Sequence, residues 1–328
     1  MLDDLVKKRV DSKKPRKEGL TYVIEKTHGL DKTWWESIAP FVDVVKINGA
    51  LPLFISDPIL EKKIKFYHDL DIRISTGSTS TEFALAENAS DRFVKEAAKI
   101  GFDIVEFSEN IVDLSFEKKK KITDVVNSQE LEIQWKIGKR DPRHQLSIEE
   151  MIARTEEITK LGSKKVIIEA NQGLNVGVYD ENGLVKWGTV ATLTNSYPPN
   201  TFIFEAPLDS QPSALIAEFG ERVNLAEISM DNVISVESQR RGILSKASFG
   251  SVNLREDPEG GPAAKFIYYI IKTKSPIEQS ELINLSFLPR RTVQHAVEEL
   301  KQQGLIIERS SLDDARKRVY YPVRSEWL

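Results

Sequence analysis

The chain contains no cysteine and only four histidines in 328 residues. The first absence excludes disulfides, thiolate metal centres and cysteine nucleophiles. The histidines (His28, His68, His144 and His295) are scattered, which leaves no imidazole spacing for a zinc site. Long hydrophobic runs are also missing, and nothing approaches the ~20 apolar residues of a membrane span. The opening segment, MLDDLVKKRVDSKKPRKEG, is charged and lacks the apolar centre of a secretion signal. The expectation is a cytoplasmic protein without a membrane partner. A net charge of −4 argues against nonspecific nucleic-acid binding by the chain as a whole. That charge is uneven. From Ala263 onward Lys and Arg exceed Asp and Glu by about three, leaving about −7 for the rest.

The length suffices for one large domain and one small one. The best boundary is REDPEGGPAAK, Arg255–Lys265, whose two glycines, two prolines and charges suit neither helix nor strand. The expected division is 1–254, a linker at 255–262, and 263–328. Before the linker, eight β-rich runs alternate with helical patterns: TYVIEK (21–26), DVVKI (43–47), IRIST (72–76), IVEFS (104–108), LEIQWK (131–136), KVIIE (165–169), FIFEA (202–206) and VNLAEI (223–228). SDRFVKEAAKIG reads as a helix capped by Ser90 and closed by Gly101. SIEEMIARTEEITKLG has Ser147 as N-cap, Glu150 completing a capping box, and Gly162 as stop. Apolar runs joined by helical crossovers mean parallel strands buried on both faces. Eight such units predict an α/β fold, a (β/α)₈ TIM barrel. An open doubly wound sheet is the rival, without a GxGxxG turn to favour it.

After the linker the pattern changes. AAKFIYYIIKTK reads as an amphipathic helix, and SPIEQSELINLS as a second, with Ser275 as N-cap and Pro276 at its first position. LPRRTVQHAVEELKQQG reads as a third, closed by Gly304, and LIIERS and KRVYYPV as a hairpin. This predicts a small α+β winged helix-turn-helix domain. Its third helix would read duplex DNA with Arg290, Arg291, Thr292 and Gln294.

In a parallel barrel the C-terminal strand ends share one mouth. Here those ends are Glu25 or Lys26, Lys46, Ser75, Glu106, Lys136, Glu169, Glu205 and Glu227. Converging carboxylates raise one another's pKa unless cations intervene. Lysines offset part of that charge, and a hard divalent cation such as Mg²⁺ would offset more. The competing reading is a ring of structural ion pairs. STGSTSTEF places Gly77, Ser78 and Thr79 before a helix, as an anion cradle or an ordinary cap. IGKRDPRHQLS offers Lys139, Arg140 and Arg143 above the rim, for an anion or for solvent.

The stretches GLTYVIEK, VDVVKI, GFDIVEFSEN, KVIIEANQG, IFEAPLDSQPSALIAEFGERVNLAEI and VISVESQRRG resemble the phosphosulfolactate synthases, lyases of coenzyme M biosynthesis found in archaea and bacteria. The likeness runs from about Gly19 to Gly250. A plant heat-stress group shares this barrel. The C-terminal segment is similar to a MarR-type winged helix, and LDDARKRVYY resembles its wing, with Arg316 and Arg318 toward the minor groove or phosphates. The resemblance implies Mg²⁺-dependent addition of sulfite to phosphoenolpyruvate, giving (2R)-phospho-3-sulfolactate. It implies Glu169 and Glu205 at the metal, Lys46 at the anion and Lys139 as a cationic acid. Gly77, Ser78, Thr79 and Arg140 would bind the substrate anion. Several positions depart from the family. Where the synthases carry a GWGT loop after the lysine, this chain has INGALPLF. Their GKK is Gly138-Lys139-Arg140, and their GRESG is here ANQG, with Asn171 and Gln172 replacing charged residues.

Three readings follow: a phosphosulfolactate synthase-like lyase; a DNA-binding regulator whose barrel senses a small anionic ligand; and a structural or stress-related barrel without chemistry. The winged helix further implies a homo-oligomer, since such modules bind half-sites as dimers.

Overall fold

The eight β-rich runs form eight parallel strands. These are β1 (Thr21–Glu25), β2 (Val44–Ile47), β3 (Arg73–Ser75), β4 (Ile104–Phe107), β5 (Glu132–Ile137), β6 (Val166–Ile168), β7 (Phe202–Glu205) and β8 (Asn224–Ser229). The computed structural model describes residues 9, 13–26, 31–243, 258, 260–303, 305–310 and 317–322. The strands pair in sequence order, and β8 returns to β1 to close a barrel. Closure rules out the open doubly wound sheet, which would leave two unpaired edges.

Each strand shows alternate residues to two environments. Val45, Val105, Trp135, Val166 and Phe204 face outward into the main core between strands and helices. Burying a side chain of this size contributes about 1.5–3 kcal/mol. Tyr22, Val44, Ile104, Ile167, Ile203 and Ala226 belong to a separate apolar layer. Two residues further along β2, β4, β6 and β7, that register meets Lys46, Glu106, Glu169 and Glu205. The barrel interior therefore turns from apolar to charged within one pleat of the sheet.

Local chemistry fixes the helix ends. Ser147 caps Ile148–Lys160: its Oγ accepts from Glu150 N at 3.2 Å, and its own N donates to Glu150 Oε2 at 2.7 Å. Gly101 ends Ser90–Ile100 with φ 105°. Ser90 is not that helix's cap, because Ala89 O already accepts the first helical bond, from Phe93 N at 2.9 Å. Ser90 sits inside the first turn and donates to Asp91 Oδ1.

The chain divides into two compact units, Met1–Arg241 and Gly242–Leu328. The expected barrel end at 254 and half of the 255–262 linker lie outside the described residues, as does Gly304. The second unit runs helix Pro262–Lys274, β9 (Ile277–Glu278), helix Gln279–Ser286, helix Arg290–Gln302, β10 (Ile306–Ser310) and β11 (Arg318–Pro322). Its antiparallel sheet has the order β10-β11-β9. Ile267, Ile271, Leu282, Val293, Leu300 and Tyr320 form its own core. Ser275 does not open the second helix. It caps the C-terminal end of the first, since Ile277 and Glu278 are taken by pairing with Tyr320 and Val319.

Candidate active site

At the C-terminal mouth the strand-end charges meet inside the barrel. Lys46 Nζ lies 3.0 Å from Glu205 Oε1 and 3.4 Å from Glu106 Oε2, and it also contacts Glu227. Lys136 Nζ lies 2.6 Å from Glu205 Oε1, 3.2 Å from Glu106 Oε1 and 3.4 Å from Glu169 Oε2. Lys46, Lys136, Glu106, Glu169 and Glu205 are all buried. Placing charges there costs several kcal/mol per ion, which only mutual pairing offsets.

The loops close over this layer. Gly77, at φ 69°, caps the helix Ser78–Ala86, and a Cβ on it would come 2.7 Å from Ile47 O. Ser78 and Thr79 thus form the first turn rather than the loop before it. Arg140 has three side-chain partners, two of them on the helix Ser78–Ala86: Nη2 donates to Ser78 Oγ at 2.7 Å, Nη1 lies 3.3 Å from Glu82 Oε2, and Nε lies 3.4 Å from Glu169 Oε2. Its backbone N donates to Asn110 Oδ1 at 2.6 Å. Gly138, at φ 127°, lets that loop pass so closely that a Cβ would meet Glu169 Cβ at 2.5 Å. Asn171 adopts φ 51° and donates its N–H to Glu169 Oε1 at 2.8 Å.

The sequence-read residues Lys46, Glu169, Glu205, Ser78 and Arg140 come together here, with Gly77 holding the turn. Thr79 follows in the same turn, half-buried. Lys139 stays outside the group: it pairs with Asp113 at 2.8 Å and donates to the Glu109 carbonyl. Of the paired candidates at the first strand, Glu25 is buried against Lys63 and Lys26 is exposed. Arg143 is exposed and pairs with Asp141 at 2.9 Å. Five participants were absent from the sequence-derived catalytic set: Lys136, Glu106, Glu227, Glu82 and Asn110. Lys136, Glu106 and Glu227 were visible as strand ends. Glu82 lies four residues beyond Ser78 on one helix face, a spacing that could have found it. Asn110 sits in a loop with no pattern of its own.

Five carboxylates (Glu82, Glu106, Glu169, Glu205, Glu227) meet three cations (Lys46, Lys136, Arg140). Burial and the neighbouring charges pull these groups in opposite directions. Burial pushes Glu169 up to about 7 against the pull of Lys136, and burial also raises Glu227. For Glu205 and Glu106, burial is outweighed by Lys136 and Lys46, which hold both below the usual carboxylate value. Burial would depress Lys46, but Glu106, Glu205 and Glu227 together keep it well above its ordinary value. The oxygens of buried Glu106 are met by the lysine ammonium groups, at 3.2 and 3.4 Å, and by no other hydrogen-bond donor among the described residues. A surplus of hard oxygen donors over cations fits Mg²⁺ in chemistry. Among the described residues no three acids or histidines gather closely enough to hold one ion.

A closed parallel barrel with a buried, charge-alternating C-terminal mouth defines a protein of the barrel-enzyme class. Residues 9–246 match the (2R)-phospho-3-sulfolactate synthase (ComA) family, and the chain belongs to it. It is 34% identical over 241 residues to the phosphosulfolactate synthase of Methanocaldococcus jannaschii, covering 71% of this chain and 95% of that protein. The corresponding protein of Methanothermobacter thermautotrophicus is 30% identical, covering 74% and 96%, and that of Bacillus subtilis 28%, covering 73% and 96%. Among the described residues no helix is long and apolar enough to cross a membrane.

Proposed function

We propose that the barrel catalyses addition of sulfite to phosphoenolpyruvate, giving (2R)-phospho-3-sulfolactate. The observation that carries this reading is the buried layer in which Lys46 and Lys136 stand among four carboxylates, in a member of this family. The sulfur lone pair forms the bond to C3, the π electrons move from C2 onto the carboxylate as an enediolate-like charge, and C2 then takes a proton. Lys46 and Lys136 stabilise that charge where water cannot screen it. Lys136 holds the proton for C2. Its carboxylate contacts keep it charged, and a carbanionic carbon is far more basic than an amine, so the transfer runs downhill. This role passes to Lys136 from Lys139, which is engaged by Asp113. Arg140, Ser78 Oγ and the N–H groups opening Ser78–Ala86 take the phosphate. Mg²⁺, with Glu169 and Glu205 as its ligands, would polarise the substrate carboxylate.

Phosphorus NMR of the full chain with phosphoenolpyruvate and sulfite, with and without Mg²⁺, tests the reading. Product is expected only with the metal. No product from folded protein removes the activity, and metal-independent product removes the Mg²⁺ assignment.

A second reading concerns the C-terminal unit. We propose that it is a MarR-like winged helix that binds duplex DNA as a homo-oligomer. Its order of helix, strand, two helices and hairpin supports this, as does the exposure of Arg290, Arg291 and Gln294 at the start of the third helix. Thr292 is half-buried there, and Arg318 is exposed at the start of β11 beside Glu308. Arg316 lies outside the described residues. In this reading the barrel would sense a small anion for the DNA-binding unit.

A further inference from the structure

The opposite end of the barrel holds a cavity of about 760 Å³, lined by residues that open β1, β2, β3, β5 and β6 and by the arm Lys14–Lys17. Six basic residues line it against three acidic ones. Two of the cations are committed: Arg16 to Asp43 at 2.9 Å, and Arg73 to Glu132 at 2.7 Å. Lys14 and Lys165 are held differently. Lys14 Nζ donates to the Asp71 carbonyl at 2.8 Å and Lys165 Nζ to the Asn200 carbonyl at 2.6 Å. Among the described residues neither forms an ion pair with a carboxylate. Burial lowers both, Lys14 to about 8, and the nearby carboxylates (Asp43 and Asp71 for Lys14, Glu18 and Glu132 for Lys165) offset only part of that cost. Lys164 adds a third charge at the exposed rim, and Ser163 contributes a buried hydroxyl with no hydrogen-bond partner among the described residues. The lining also has an apolar part, Leu20, Tyr22 and Val44, from the lower barrel layer.

We infer that this cavity binds a phosphorylated small organic molecule, its phosphate groups held by Lys14 and Lys165 and its uncharged body against Leu20, Tyr22 and Val44. The volume lies within the range of small-molecule sites. A phosphate brings the negative charge that the carbonyl-bound ammonium groups lack, and charge-assisted bonds are the stronger kind. The site is distinct from the mouth and does not depend on the reaction proposed there.

Titration calorimetry of the full chain with ADP, and with inorganic pyrophosphate as the charge-only probe, tests it. ADP is expected to bind, and Lys14→Ala/Lys165→Ala to weaken it by about tenfold or more. Lys164→Glu, at an exposed position that cannot disturb folding, is expected to weaken it severalfold. Arg140→Ala, at the mouth, is expected to leave ADP affinity unchanged. Three outcomes overturn the inference: no heat with either probe at about 1 mM, unchanged affinity in both lysine variants, or loss of ADP binding in Arg140→Ala, which would move it to the mouth.

Discussion

Glu169 stands where the cations and the loop meet: Lys136 from below, Arg140 from above, and the Asn171 N–H beside it. Glu169→Gln keeps the shape but removes the charge, and it is expected to lower turnover by about 10²–10⁴-fold, measured as initial rate. Its pH behaviour has a definite sign. Folding raises this carboxyl from 4.5 to about 7, so its stabilising contribution is complete below 4.5 and is lost as pH rises through 7. Urea midpoints across that window should fall less steeply in Glu169→Gln than in the wild type. Glu205 and Glu106, both lowered, contribute the opposite way, with stability present above 4.5 and lost in acid. Lys136→Met leaves three buried carboxylates short of a cation, and a loss of about 3–5 kcal/mol is expected by urea denaturation. The residue scale was only partly legible in the sequence. Strand-end acids and lysines are visible because position 2n along a strand fixes their direction. Lys139 was misleading because it lies two residues past the end of β5, where a loop decides which way it turns.

The strands were read from the sequence to within about a residue at each end, because buried parallel strands carry their signal in a continuous apolar run. Helix ends were legible where side chains make the cap. Ser147 and Glu150 bond reciprocally as their spacing predicts, and Ser147→Ala should cost about 1 kcal/mol, read as a shift in thermal midpoint at constant activity. Ser90 and Ser275 misled for a common reason: a serine before a helical pattern can be bypassed when a neighbouring backbone carbonyl or strand pairing is engaged first. At Ser275 the competitor was β9, only two residues long and too short to leave a period in sequence. The first turn of Ser78–Ala86 shows how an element and a site coincide. The helix start that Gly77 permits is also where Arg140 docks on Ser78.

At the scale of the whole chain, the family likeness ends near residue 246 and the second compact unit has its own core. If that unit binds DNA, affinity of the full chain for duplex should fall steeply with salt. The slope is about 0.9 per neutralised phosphate, and Arg290→Ala/Arg291→Ala should flatten it by one to two such steps, as read by fluorescence anisotropy. An unchanged slope would leave the unit without this role. The change of lining within the barrel, apolar below and charged above on the same strands, has a consequence for descent. The lower layer and the outer core can keep the fold intact while substitutions above them alter what the mouth accepts. Yet each lysine there serves three acids at once, so a lone change strands several buried charges together. Drift in this lineage should therefore run through compensated pairs, with the exposed, neutral Gln172 free to vary first and the interlocked lysines and glutamates last.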